Sequence, residues 1–305
     1  LQAEFNAPGE RHTVEEGRFY GGEPIWVTAE TQNMKSATCF WVGSEADVKG
    51  VRPSHWKKYE HEMPYSQRID TIMHWLSLPE PSRPKLIMWY FDEPDGSGHD
   101  LGPENDSLLP LITRLDSLVG VFMTKMKTLP FADKINFIVV SDHGMAQLSP
   151  ERQIILDQYV DTSLIAIADG WNPTMNLKAK EGKKEDLFLQ LQKIPHLKSW
   201  RHGEAPAHLN HSTHIRTHDI TLLAEDGWSI YWSWAISDSK GTHGYDFNNT
   251  DVNAIFYAFG PDFKQNYVRK PFRNIHIYPL MAHLLQLNPA VVDGQLDSIS
   301  DILKP

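Results

Sequence analysis

Residues 135–145 read Ile135-Asn136-Phe137-Ile138-Val139-Val140-Ser141-Asp142-His143-Gly144-Met145. The β-branched and aromatic run Ile135–Val140 predicts a buried strand, and it ends directly in a carboxylate and an imidazole. A strand that is apolar on both faces belongs in a sheet covered on both sides, which is the arrangement of α/β proteins. Neighbouring side chains on a straight strand point to opposite faces, so Asp142 and His143 can approach one point only if the chain turns there. Gly144 permits that turn. The competing reading is a strand end followed by a helix-capping Asp.

Outward from this stretch, Ala37–Val42, Leu86–Phe91, Ile220–Leu223 and Ala254–Phe259 have the same strand character. Between them, apolar residues fall at helical spacing over Ser66–Leu78 (Ile69, Ile72, Met73, Leu76), Leu108–Leu129 and Ile275–Leu287. The expected architecture is an α/β core sheet with helices on both faces. In such sheets ligands sit at the carboxyl ends of strands, and the polar clusters Asp92–Asp100 and Ser141–Met145 fall there. Glu151–Gly241 is less regular, with Gly, Pro and charged residues interrupting the pattern, and residues 151–241 read as a smaller peripheral lobe.

At 305 residues with 41% hydrophobic content, the chain can bury a sizeable core. It has no run of about 18 apolar residues, so no membrane span is expected. The net charge of −10, with no basic stripe, argues against gripping a long nucleic acid but leaves a single nucleotide open. Cys39 is the only cysteine, which excludes an intrachain disulfide and a thiolate zinc cage. Any zinc site must therefore use His and carboxylates. Between Thr38 and Phe40, Cys39 reads as a small buried hydrophobe.

Two further clusters carry potential ligands. In Asp95-Gly96-Ser97-Gly98-His99, a carboxylate and an imidazole four positions apart flank two glycines, expected to let a loop curl until both face one point. In Gly241-Thr242-His243-Gly244-Tyr245-Asp246, a His stands between glycines. Taken singly, these motifs also fit a solvated loop and a structural His, with Ser97 serving loop hydrogen bonding. His208, His211, His214 and His218 form a His-rich tract that matches a metal site only by composition.

These motifs together resemble the nucleotide pyrophosphatase/phosphodiesterase family of the alkaline phosphatase superfamily. The resemblance runs from Gly21-Gly22-Glu23-Pro24-Ile25-Trp26-Val27-Thr28-Ala29 through Arg52-Pro53-Ser54-His55-Trp56, the Asp95/His99 cluster, Ser141–Met145 and Gly241–Asp246, to Asp293-Gly294. It implies an alkaline phosphatase-like fold, with residues 1–305 as a single phosphodiesterase catalytic domain. It also implies two zinc ions and hydrolysis of nucleotide phosphodiester or pyrophosphate bonds to nucleoside monophosphates.

Residue by residue, Asp95, His99 and His243 match the ligands of the zinc that faces the substrate phosphate. Three protein ligands and an open position suit a catalytic zinc. Asp142 and His143 match two ligands of the zinc that activates the nucleophile. The family's remaining Asp ligand and its Thr nucleophile precede the motif around Glu23–Trp26, and are expected before Leu1. Tyr59 and Tyr90 match positions lining the nucleotide pocket, where a ring can stack on a base. In the family the His-rich tract is an ordinary approach to the strand ending in Glu225-Asp226-Gly227-Trp228. The resemblance implies an extracellular or periplasmic setting. Alternatives on the same metals are a lysophospholipid diesterase or a phosphomonoesterase, and a chain lacking the Thr would be inactive or a binding module.

Overall fold

The computed structural model describes residues 11–214 and 216–305. Six α-helices are present among the described residues: α1 (Ile25–Thr31), α2 (Tyr65–Leu76), α3 (Asp95–Leu101), α4 (Leu109–Met126), α5 (Lys184–Leu191) and α6 (Ile277–Leu284). The strands are β1 (Ser36–Cys39), β2 (His55–Lys57), β3 (Leu86–Trp89), β4 (Phe137–Val140), β5 (Ala146–Gln147), β6 (Gln153–Ile155) and β7 (Ile165–Trp171). They continue with β8 (Thr174–Ala179), β9 (Leu197–Arg201), β10 (Ile220–Ala224), β11 (Ser229–Tyr231), β12 (Gly241–Thr242) and β13 (Phe256–Phe259). The chain forms two compact units, one of residues 11–91, 113–139 and 256–305, the other of residues 92–112 and 140–255.

In the first unit, β1 lies between β2 and β3 in a parallel sheet, with Thr38 opposite both Trp56 and Met88. Alternate residues of β3 enter different apolar clusters: Leu86 and Met88 pack with Trp26, Val27 and Ala29 of α1, whereas Ile87 and Trp89 join Ile69, Ile72 and Trp75 of α2. The period of two therefore puts a helix on each face, as an all-parallel sheet requires. Strand β1 stops at Cys39 rather than Val42 because Phe40 takes φ +62°, a left-handed conformation no strand can continue through.

Strand β4 pairs with β13 in a separate two-stranded sheet. Phe122 of α4 packs on both Trp89 of β3 and Phe137 of β4, with ring centroids 5.3 and 5.4 Å away. Among the described residues, α4 with the turn before it is the one helix long and apolar enough by composition to cross a membrane. It carries Arg114 and Asp116 mid-length, and its Phe122 and Met126 are buried in the core.

The second unit contains the segment read as irregular, and it is more ordered than that reading. Strands β7, β8, β10 and β9 form an antiparallel sheet in that order, with Ile220 opposite both Leu177 and Arg201. Leu177, Ile220 and Leu222 are fully buried with Leu187 and Leu191 of α5. Each such side chain contributes about 1.5–3 kcal/mol of burial free energy. Of this sheet the sequence pattern marked β10, at Ile220–Leu223, and passed over β7, which carries Asp169 and Gly170 inside the strand. The last two strands that matter for the site are β12 and β5, paired antiparallel with Thr242 opposite Ala146.

Candidate metal centre

Asp95 and His99 are not on a curled loop, as their flanking glycines suggested. They lie on α3, one turn apart on one helix face, so the spacing of four is helical spacing. Gly98 has a packing role instead: a Cβ there would stand 3.1 Å from the Met145 methyl. Ser97 donates from its N–H and hydroxyl to Glu93, at 3.1 and 2.9 Å, which is the local hydrogen bonding expected of it.

The chain bends at Asp142, and a Cβ on Gly144 would fall 2.4 Å from the Asp251 carbonyl oxygen. Only glycine fits. Strand β5 follows immediately, and its pairing with β12 sets His243 beside His143, their rings stacked at 3.4 Å and 15°. Strand β12 is tied to α3 as well, since the Lys240 N–H donates to the His99 carbonyl at 2.7 Å.

These elements converge on one oxygen. Asp95 Oδ1 lies 3.4 Å from His243 Nε2, 3.5 Å from His99 Nε2 and 3.9 Å from His143 Nε2. It is buried and makes no hydrogen bond of proper geometry. A buried carboxylate oxygen left so among ring nitrogens is costly without a cation. Four ligands about 2.0–2.1 Å from a tetrahedral zinc stand about 3.3 Å apart, close to the observed spacing within Asp95, His99 and His243. Those three residues form a group whose ligand atoms all lie within 4.8 Å of one another. The donor set and its spacing fit a divalent metal.

The tautomers suit that role. A carbonyl oxygen can only accept, so the 2.8 Å contacts of His99 Nδ1 with Gly241 O and of His143 Nδ1 with Gly144 O place a proton on each Nδ1. Each Nε2 lone pair is then free to bind a metal. The adjoining His243 imidazole holds the Asp95 carboxyl below its ordinary range, against the raising effect of partial burial, with His99 and His143 adding to the depression. Asp142 stands at the rim, mostly exposed, with Oδ1 3.6 Å from His143 Nε2.

Ser239 is a residue that sequence reasoning missed. Its hydroxyl lies 2.7 Å from the Gly241 carbonyl and 3.0 Å from the His99 carbonyl, bracing the acceptor that orients His99. No motif marked it. The His-rich tract is dispersed: His208 meets Asp246 at 2.9 Å, His211 meets Asn176 at 3.4 Å, His218 meets Asp169 at 2.6 Å, and His214 accepts from the Arg216 N–H at 3.1 Å. Tyr59 and Tyr90 belong to the other unit. There Tyr59 is half-exposed, its N–H donating to Glu45 at 2.6 Å, and the Tyr90 N–H donates to the Cys39 carbonyl at 3.0 Å.

An α/β chain with a carboxylate and imidazoles gathered just beyond strand ends defines a candidate metal-assisted hydrolase centre. The family model described as type I phosphodiesterase / nucleotide pyrophosphatase matches residues 3–246, and the chain belongs to that family. It is 32% identical over 307 residues to the venom phosphodiesterase CdcPDE of Crotalus durissus collilineatus, covering 96% of this chain and 36% of that protein. It is also 32% identical over 303 residues to human ectonucleotide pyrophosphatase/phosphodiesterase family member 1, covering 94% of this chain and 32% of the relative. The chain thus spans about a third of the length of these curated relatives.

Human ectonucleotide pyrophosphatase/phosphodiesterase 5 superposes with a TM-score of 0.91 at 29% identity, over 95% of this chain and 78% of that one. An inactive Thr-to-Ala variant of the murine protein, in complex with AMP, gives 0.92 at 28%, over 97% and 79%. The alkaline phosphatase-like α/β fold expected from the motifs is the fold of this chain.

Proposed function

We propose that this chain is the metal-binding part of a two-zinc hydrolase that cleaves phosphodiester or pyrophosphate bonds of nucleotides and releases nucleoside monophosphates. The observation that carries the proposal is the Asp95 oxygen, buried without a hydrogen bond and faced by the Nε2 atoms of His99, His243 and His143 in a chain of this family. In this reading Asp95, His99 and His243 hold the zinc nearer the substrate phosphate, and Asp142 and His143 contribute to a second. Zinc bound there would supply neutralising charge at the phosphorus oxygens and lower the pKa of the attacking group. The nucleophile in this reading is a Thr that we assign to none of the residues of this chain; the inactive Thr-to-Ala variant of the murine relative supports a Thr in that role.

The chain's own residues provide orientation. The Nδ1–H groups of His99 and His143 donate to main-chain carbonyls, which fixes each ring's orientation and keeps both Nε2 atoms aimed inward. Asp95 stays ionised to more acid pH than an ordinary carboxyl, since the adjoining His243 imidazole lowers it. Tyr59 and Tyr90 would stack on the base, a contact that tolerates different bases. The AMP in the murine relative supports a small nucleotide as substrate. Residues 1–305 act in this reading as one catalytic domain, with residues 151–241 as its peripheral lobe. The names of the venom and ectonucleotide relatives support an extracellular or periplasmic setting.

The test compares hydrolysis of bis(p-nitrophenyl) phosphate, p-nitrophenyl phosphate and a dinucleotide, with zinc added, by the full-length polypeptide carrying this chain. Preference for the two diesters is expected. Strong preference for the monoester would overturn the assignment.

A further inference from the structure

Arg68 lies on α2 among Ile69, Ile72 and Trp75 and is only 1% exposed. A guanidinium on the apolar face of a helix is costly unless its donors are used. Nε donates to the Met63 carbonyl at 3.1 Å, Nη1 to the Tyr90 carbonyl at 3.3 Å and Nη2 to the His61 carbonyl at 3.3 Å. Its planar head also faces two rings, with Cζ 4.8 Å from the Phe40 centroid and 4.5 Å from that of Tyr65. One buried cation therefore ties the 61–63 segment to the chain at Tyr90, just beyond the carboxyl end of β3.

Both candidate base-stacking residues depend on what Arg68 holds. Tyr90 is held through its own carbonyl. Tyr59 packs edge-on against Phe40 at 5.3 Å, and its hydroxyl lies 3.1 Å from His61 Nδ1, so two of its neighbours are Arg68 partners. Phe40 itself is buried at φ +62°, a conformation costly for an aromatic residue that persists only when the surroundings impose it. A purely structural Arg would be replaceable by an apolar side chain of like volume. Such a side chain could not bridge three main-chain carbonyls.

We infer that Arg68 is a positioning residue for nucleobase recognition, locking Phe40, Tyr59 and the Tyr90 main chain into one rigid platform. The inference rests on the reading of Tyr59 and Tyr90 as base-stacking residues. It predicts that Arg68 governs affinity for the nucleoside part of a ligand and not for its phosphate.

The test is calorimetric titration of the zinc-loaded protein with AMP and, separately, with inorganic phosphate, for the natural sequence, Tyr59→Ala, Arg68→Lys and Tyr65→Leu. Arg68→Lys keeps the charge but loses the fork, and Tyr65→Leu removes one ring of the sandwich while leaving the hydrogen bonds, so it serves if the first fails to fold. Each is expected to weaken AMP about tenfold and leave phosphate within about twofold. Unchanged AMP affinity in both, with loss in Tyr59→Ala, overturns the role of Arg68 and leaves the base-stacking reading standing. Unchanged affinity in all three variants overturns that reading and the inference with it. Equal weakening of AMP and phosphate marks Arg68 as a structural residue and also overturns the inference.

Discussion

His99 Nδ1 and the Gly241 carbonyl oxygen, 142 residues apart in the chain, meet at 2.8 Å. This hydrogen bond fixes the His99 tautomer and joins α3 to the strand that delivers His243. Ligand orientation is thereby built into the main chain.

Replacing His243 by Ala removes one of the three groups around Asp95 Oδ1. Zinc bound per chain, measured by mass spectrometry of the metal, should fall, and turnover should fall by a factor of 10² or more on the scale of about 3 kcal/mol for lost transition-state charge stabilisation. His214→Ala should change neither much, because the His214 ring accepts from the Arg216 N–H and meets none of the converged ligands in the described contacts. Equal losses from both would restore the His-rich tract as a metal site.

Zinc should stabilise the folded chain, since it binds the converged ligands and not the unfolded chain to the same degree. At a hundredfold excess over its dissociation constant the gain is about 2.7 kcal/mol. Thermal unfolding with and without a chelator should show a zinc-dependent rise in midpoint that disappears in Asp95→Asn. A rise of the same size in that variant would place the zinc elsewhere.

Gly241→Ala tests the packing that brings the ligands together. The new Cβ would fall 2.4 Å from the Gly98 carbonyl oxygen and 3.0 Å from Met145 Cγ. The expected cost is about 1–3 kcal/mol, read as a lower urea midpoint with an unchanged slope. An unaltered midpoint would mean that α3 and β12 are not in close contact.

Burial pushes the Cys39 thiol up to about 11, outweighing the lowering effect of the Arg68 and Lys57 charges. A free thiol ionises near 8.5, so between about 8.5 and that raised value the unfolded chain loses its proton first. Stability from this group is intact below that window and is lost as pH rises through it. Iodoacetamide at pH 8.5 should label Cys39 slowly in the native chain and quickly in urea; fast native labelling would contradict its burial.

Much of this was legible in the sequence, and the exceptions have physical causes. The runs around Leu86 and Phe137 marked their strands because both are continuously apolar, although β4 is half-buried and not fully buried as expected. The bend beyond β4 was legible because two adjacent ligands demanded it, though it falls at Asp142 and not at Gly144. Asp95 and His99 misled because glycine lowers helix propensity, yet here Gly98 packs under Met145 and the helix forms through tertiary contact. Ser239 carried no signal, since its partners are main-chain carbonyls that any sequence would possess. Arg68 did carry one, a charge on the Ile69, Ile72, Leu76 face, which only a buried or snorkelling cation explains.

The most direct test of the metal centre is anomalous diffraction at the zinc edge from crystals of this chain grown with zinc. A peak is expected about 2.0–2.2 Å from an Asp95 oxygen, His99 Nε2 and His243 Nε2. A peak among His208, His211, His214 and His218, with none beside Asp95, would contradict it.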